Sequence, residues 1–444
     1  MASHPKPDAS PDPGPNPGPN PGQANPAQDS GPAPKPLPLL QGLRVIEGSA
    51  FVAAPLGGMT LAELGAEVIR FDPIGGGLDY QRWPITKEGR SLFWAGLNKG
   101  KKSIAIDLTR PEGAEIATRL ITEPGDGAGL FLTNFPARGW LDYQRLRALR
   151  DDLIMINVTG DHDGKSAVDY TVNARMGWPM VSGPQSTQGP VNHVLPAWDA
   201  ACGIWAACGL LAAERHRSRT GDGQLVTLAL SDVALAVTGA LGVIGEVLIN
   251  DDDRARHGND LFGGFGRDFE TRDGRRVMVV GLTGRQWRSL LTATRLAGEM
   301  AALGQSLGRD LTRQGERFEA REEIAGQIAP WIKAHPLTEV ARIFDDCGVC
   351  WGPYQSFREL VESDPLCSPA NPLMSLLDQP GIGSYLAPGS PLAFGAFPRV
   401  PARPAPALGG DTEAVLGDVL GMDSGEIGRL FDSGVVAGPD TIPT

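Results

Sequence analysis

From about Leu39 onward, short apolar runs alternate with longer mixed stretches. "LRVIEG", "AEVIRFD", "KSIAIDL", "GAGLFLTNF" and "DLIMINVTG" are each rich in Val, Ile, Leu or Phe and read as strands. Between the first two lies "PLGGMTLAELG", which reads as a helix with Pro55 near its first turn and Gly65 at its end. A second helix is predicted to start near Pro111. Strands alternating with helices predict an α/β fold with a parallel, doubly wound sheet. The first strand-to-helix loop, "EGSAFVAAP", lacks the glycine spacing of a dinucleotide fingerprint, so a nicotinamide enzyme is not indicated.

Further along, "AACGIWAACGLLAAERHR" has a long helical pattern that closes in "SRTGDGQ". "LVTLALSD" reads as another strand. The apolar run 233–249 contains Glu246 and three glycines and is barely long enough to span a bilayer, so a buried core or interface helix is expected. "NDDDRARHGND" reads as a polar crossing segment. "FGGFGRDFETRDGRRVMVVGL" carries a glycine-rich loop and a hairpin signal at Asp273-Gly274. "RQWRSLLTATRL" and "REEIAGQIAPWIKAH" follow as amphipathic helices. The pattern divides the chain at 38–232, 233–259, 260–360 and 361–444, the third segment being a smaller α+β domain. Residues 1–37 are dominated by Pro, Gly and Asn and are expected to be disordered, because they cannot bury enough apolar surface to offset chain entropy.

Composition narrows the function classes. A formal net charge of -12 argues against a general nucleic-acid binder, while leaving room for an anionic ligand in a local basic pocket. Five cysteines, an odd number, with no apolar signal segment in "MASHPKPDAS", fit reduced thiols in a cytoplasmic protein. Cys347 and Cys350 form one CxxC without a second ligand pair for zinc, so two buried structural thiols are expected. The six histidines show no metal-ligand spacing, and neither GxSxG nor HExxH is present.

One acid stands out. In "NHVLPAWDAACGIW", Asp199 precedes a run of small and apolar residues. Two roles are open to it: a helix cap, or a carboxylate nucleophile toward an activated acyl group. A second acid, Asp169 in "GKSAVDYTVNARMG", either shapes a site or fixes a turn. His193 lies six residues before Asp199 and is expected to be a satisfied loop histidine. Basic residues cluster in "NKGKKSIAID", and Arg70 ends a strand. Ligands of doubly wound sheets bind beyond the carboxyl ends of the strands, where Lys101 and Arg70 would meet a phosphate.

These pieces come in a recognisable order. "LQGLRVIEGSAFVAAPLGGMTLAELGAEVIRFD", "NKGKKSIAIDL", "FLTNFPARG", "AWDAACG", "GLLAAERHRSRTGDGQLVTLALSD" and "APALGGDTEAVLGDVLG" resemble family III CoA-transferases over about residues 39–440. Some stretches are similar to one branch in particular, which moves CoA between the two carboxyl groups of mesaconate. These are "IEGSAFVAAPLGGMTLA", "RFDPIGGGLDYQRWP", "LFWAGLNKGKKSIAID", "VNHVLPAWD" and "GNDLFGGFGRDFETRDG". The resemblance implies a Rossmann-like large domain built from both chain ends, a small domain, and two interlocked subunits. It implies that segment 361–444 returns to the large domain. It makes Asp199 the catalytic aspartate of a D-x-x-x-G segment with Gly203. It implies that Arg70, Lys101, Asn134, Phe135, Arg138 and Asp169 lie on CoA-binding segments. It implies an acyl-CoA substrate, mesaconyl-CoA, with CoA as part of the substrate and no permanent cofactor, metal, nucleic-acid or membrane partner. Val168 stands where the racemase branch carries a histidine before Asp169, which counts against α-proton exchange. Phe265 interrupts the glycine run that covers the site in formyl-CoA transferases. Backbone N–H groups at the start of the Asp199 helix are expected to stabilise oxyanions.

Overall fold

The computed structural model describes residues 39–439, so the tail expected to be disordered, 1–37, lies outside the described residues. Among these, twelve strands occur: β1 Arg44–Gly48, β2 Glu67–Asp72, β3 Lys102–Ile106, β4 Leu130–Thr133, β5 Ile154–Thr159, β6 Leu225–Ala229, β7 Phe265–Glu270, β8 Arg276–Gly281, β9 Cys350–Pro353, β10 Met374–Gln379, β11 Gly383–Pro388 and β12 Val436–Ala437. The main sheet has the order β12-β3-β2-β1-β4-β5-β6. Its strands are parallel except β12, which runs antiparallel along the edge of β3. The order reverses between β1 and β4, which opens a crevice at their carboxyl ends.

Side-chain alternation sorts the core onto the two faces. Val45, Val68, Leu130 and Ile154 pack on one side against the helices Ala53–Glu63 and Ala197–Thr220. Their neighbours Ile46, Ile69, Phe131 and Met155 pack on the other, against the helix Pro111–Ile121 and the C-terminal helices Thr412–Asp418 and Ser424–Asp432. A one-residue register slip would exchange these sets, so the apolar pattern fixes the pairing.

The helices Ala53–Glu63 and Ala197–Thr220 cross closely, and two glycines permit it. A Cβ on Gly203 would stand 2.8 Å from the Ala53 carbonyl oxygen and 2.9 Å from the Leu56 Cβ. A Cβ on Gly57 would stand 3.0 Å from the Gly203 carbonyl oxygen. Gly203 therefore has a packing reason to follow Asp199 by one helical turn.

Two sequence expectations are corrected, for the run 233–249 and for the CxxC thiols. The run 233–249 is not one helix: Gly242, with φ 81°, breaks it into Leu230–Ala240 and Val243–Asn250. The second piece has no buried residue. Among the described residues no single helix is long and apolar enough to cross a membrane. Cys347 is half-buried and Cys350 exposed, because β9 is a three-stranded-sheet edge rather than an inner strand. The proline-rich stretch after 365 contains the β10–β11 hairpin, whose mixed polar residues hid its periodicity. The hairpin read at Asp273-Gly274 joins β7 to β8, with Gly274 at φ 75°.

Gly203→Ala should lower the free energy of unfolding by about 1–3 kcal/mol, because the added carbon forces apart two packed helices. Chemical denaturation of the two proteins checks this; an unchanged midpoint would show that the crossing is looser than drawn.

Candidate active site

The long helix starts at Ala197, with Pro196 at its cap position and no side-chain cap of its own. Its first N–H groups need acceptors from outside. Asp169, the first residue of the helix Asp169–Arg175, supplies one. Asp169 Oδ2 accepts the Trp198 N–H at 2.7 Å and the Asp199 N–H at 3.0 Å. Asp169 Oδ1 faces His193 Nε2 at 2.5 Å. So Asp199 does not cap its helix; Asp169, thirty residues earlier, does. Asp169 is buried, and its carboxylate caps the long helix instead of fixing a turn of its own.

The surrounding loop is tied to the same two helices. Trp198 is buried and its indole N–H donates to Asn173 Oδ1 at 3.0 Å. Asn173 in turn donates to Asn192. The Tyr170 hydroxyl donates to the Val194 carbonyl at 3.3 Å, and His193 lies edge-on to Tyr170 and tilted against Trp198. His193 is thus the satisfied loop histidine expected from its position.

Relieved of capping, the half-buried Asp199 carboxylate accepts no hydrogen bond from the described residues. Burial pushes its carboxyl up to about 6, the Asp169 charge adds to the rise, and Arg82 opposes it. Cys202, one turn on, is buried, and burial pushes its thiol up to about 12, so it is no rival nucleophile at neutral pH. The oxyanion expectation is corrected. The Trp198 and Asp199 N–H groups are committed to Asp169, while those of Ala197 and Ala200 bond to Leu195 and Pro196 carbonyls.

At the carboxyl end of β1 a buried ionic cluster forms the floor of the crevice. Arg70 grips Asp72 through two 2.8 Å bonds and also reaches the Ser49 carbonyl and Glu47. Lys101 Nζ donates to Glu47, the Pro55 carbonyl and Asn98. Burial pulls the Lys101 ammonium down to about 8, with Glu47 opposing. Both cations are buried and their donors are used internally. The expectation that Arg70 and Lys101 meet a phosphate is therefore corrected: in this structure they hold β1, β2 and the 98–101 turn together.

Above this floor, Asn134 clamps the loop after β1, accepting the Ala50 N–H at 2.9 Å and donating to the Ala50 carbonyl at 2.7 Å. Phe135 packs on Phe71. Arg138 is exposed at the start of a short 3₁₀ turn. Phe51 adopts φ 66°, an unusual conformation for a bulky residue, and its N–H donates to Asp79 Oδ2 at 2.5 Å. The sequence reading missed Asp79 and Arg82. Their only signal was "RFDPIGGGLDYQRWP", a polar loop following a strand. Among the described residues no cluster of three or more His, Cys, Asp or Glu side chains is placed to hold a metal ion.

Comparison with known proteins identifies the family and the fold. The model of CoA-transferase family III matches residues 40–412. The chain is 61% identical over 403 residues to the 2-methylfumaryl-CoA isomerase of Chloroflexus aurantiacus, covering 90% of this chain and 98% of that protein. It is 28% identical to the succinyl-CoA–D-citramalate CoA-transferase of the same organism, over 89% of this chain and 97% of that one. Among solved structures, a CaiB/BaiF family protein from Brucella suis superposes with a TM-score of 0.69 at 24% identity, covering 86% of this chain and 99% of the other. That likeness concerns the fold.

Carbon-13 NMR of labelled aspartate carboxyls should place the Asp199 midpoint near 6. In Asp169→Asn the midpoint should fall, since one of the two effects raising it is removed. The folded carboxyl binds its proton more tightly than the unfolded one, whose ordinary value is 3.8. Stability should therefore decline as pH rises from about 4 to about 6. A midpoint near the ordinary value in the unsubstituted protein would overturn the electrostatic picture.

Proposed function

The chain belongs to CoA-transferase family III, and we propose that it isomerises 2-methylfumaryl-CoA (mesaconyl-CoA) by moving CoA from one carboxyl group of the dicarboxylate to the other. The observation that carries this reading is the Asp199 carboxylate, half-buried and unpaired in the first turn of the long helix.

In the proposed reaction Asp199 attacks the thioester carbonyl. The C–S bond breaks, CoA leaves as thiolate, and a mixed anhydride joins Asp199 to the acyl group. The thiolate then attacks the aspartyl carbonyl; mesaconate leaves as carboxylate and an aspartyl-CoA thioester remains. The other carboxylate of the same mesaconate attacks this thioester and re-forms an anhydride, with thiolate released again. Thiolate finally attacks the mesaconyl carbonyl, which frees Asp199 and leaves CoA on the new end. No proton or electron is gained or lost overall.

Two demands follow. Water must be excluded, because both intermediates hydrolyse. Freed mesaconate must be retained, which makes the second attack effectively intramolecular. Trp198 and the apolar stretch behind it serve the first. We also propose the interlocked homodimer. Its support is the apolar surface a single chain leaves open: Val194 and Leu195 beside the site, Ile204 and Trp205 on the long helix, and Leu248 and Ile249 on the helix Val243–Asn250 are all exposed. Exposed apolar side chains in this number fit an interaction surface.

The test uses purified protein, mesaconyl-CoA esterified at its 1-carboxyl, no added acid, and chromatographic separation of the isomers. The 4-carboxyl thioester should appear, undiluted by added labelled mesaconate. Asp199→Asn should lose at least about a thousandfold in turnover, because the nucleophile itself is removed. Product formed only when a second acid is supplied would make the protein an intermolecular transferase like its 28%-identical relative. Turnover retained by Asp199→Asn would end the covalent scheme. Light scattering should give twice the mass of one chain.

A further inference from the structure

We propose that Arg82 grips the carboxylate of the substrate that is not bonded to CoA, and so selects acyl-CoA thioesters of dicarboxylic acids. This rests on the function proposed above, and names the residue that makes a dicarboxylate the preferred cargo.

Arg82 differs from the other cations near the site in how it is held. Its guanidinium lies over the Phe93 ring at 4.9 Å and the Phe51 ring at 5.6 Å. Its backbone is fixed as well: the Arg82 N–H bonds to the Asp79 carbonyl, and the Ser91 hydroxyl donates to the Arg82 carbonyl at 2.6 Å. Aromatic faces orient a guanidinium without consuming its N–H donors. None of the side chain's donors makes a hydrogen bond or ion pair among the described residues. Arg70 and Lys101, by contrast, spend their donors inside the protein. Arg82 thus presents a planar fork of free donors, a geometry that matches a carboxylate in two parallel bonds.

Its placement suits the second end of a short diacid. The Arg82 charge acts on two carboxyl groups, Asp199 and Asp79, yet it pairs with neither. At Asp199 the Arg82 charge opposes the effect of the neighbouring Asp169 anion. Mesaconate is a rigid trans diacid. When one end is bonded to Asp199, the other must lie a few bonds away, close to but not on the nucleophile. An uncompensated carboxylate there, beside Asp169, would face like charge without Arg82. After the first transfer both ends of the diacid are free carboxylates. Turning the molecule end over end would exchange the group at Arg82 for the group facing the aspartyl thioester.

The loop under Arg82 is strained in a way that serves this placement. Phe51 is one of three non-glycine residues at positive φ among the described residues, and Asp79, itself buried, holds its N–H. The conformation directs the Phe51 ring beneath the guanidinium. Strained backbone of this kind concentrates where function needs it. One Asp79 oxygen, Oδ1, is buried without a partner, and this corner is therefore not closed by the protein's own bonds.

Binding measured on an Asp199→Asn background, where turnover is blocked, tests the proposal. Full-length protein is titrated with mesaconyl-CoA and with crotonyl-CoA, which lacks the second carboxylate. Adding Arg82→Gln should weaken mesaconyl-CoA binding by about 10- to 100-fold, the range for a charge-assisted contact, and leave crotonyl-CoA within about 2-fold. Arg82→Lys should recover part of the loss. With Asp199 present, Arg82→Gln should raise KM for mesaconyl-CoA more than it lowers kcat. Equal weakening of both thioesters, or of neither, would overturn the role. The proposed isomerisation is judged separately: it falls if the unsubstituted protein makes no 4-carboxyl isomer, whatever the binding ratio.

Discussion

One carboxylate, that of Asp169, decides what the site can be. A helix of twenty-four residues begins at Ala197 with orphan N–H groups, and an acid in its first turn would ordinarily satisfy them itself. Asp169 reaches across from a separate helix and takes the Trp198 and Asp199 N–H groups. Two effects follow from that one contact. Asp199 is left with no backbone bond to make, and a second negative charge is held near it. Both make its carboxylate more basic and more available. The helix is stabilised by one acid so that the other is free for chemistry.

That arrangement needs a rigid frame. The close crossing at Gly57 and Gly203 fixes the long helix against the sheet, and the register of β1 with β2 and β4 fixes the crevice. The Arg70–Asp72–Glu47–Lys101 cluster then locks the carboxyl ends of β1 and β2 to the turn that follows them. Burying two cations is costly, and they persist because each is matched by an anion and by carbonyl or amide oxygens. Asn134, from the far side of the switch point, clamps the loop that carries Phe51. The floor, the helix and the loop are thus each tied to a different strand end.

Much of this was legible from residue order. The main-sheet strands from β1 to β5 were visible as apolar runs, because strands buried on both faces leave a continuous signal, while β6 is a half-exposed edge strand. β12 has two residues and depends on pairing with β3, which no local pattern announces. Asp199 was legible as an acid before an apolar helix, but its cap was not, since Asp169 is thirty residues away and only the fold brings them together. Arg70 and Lys101 looked like ligand cations because sequence cannot tell a buried, paired charge from an exposed one. Arg82 was hidden for the opposite reason. It sits among exposed polar residues, and its aromatic supports come from two other segments.

The raised affinity of Asp199 for its proton bears on the direction of the proposed transfer. A mixed anhydride between Asp199 and mesaconate can be opened by thiolate at either carbonyl. Attack on the mesaconyl carbonyl expels Asp199 and regenerates the starting thioester. Attack on the aspartyl carbonyl expels mesaconate and advances to the enzyme-bound thioester. The weaker base leaves more readily, and a carboxyl pushed up to about 6 is a stronger base than an ordinary one near 3.8. Burial and Asp169 therefore bias the anhydride toward releasing mesaconate. A cation gripping the departing diacid would strengthen that bias by stabilising the charge as it forms. The same electrostatics that make Asp199 a competent nucleophile also make it the poorer leaving group, which favours the first half of the proposed transfer and works against the last step, where Asp199 itself must leave.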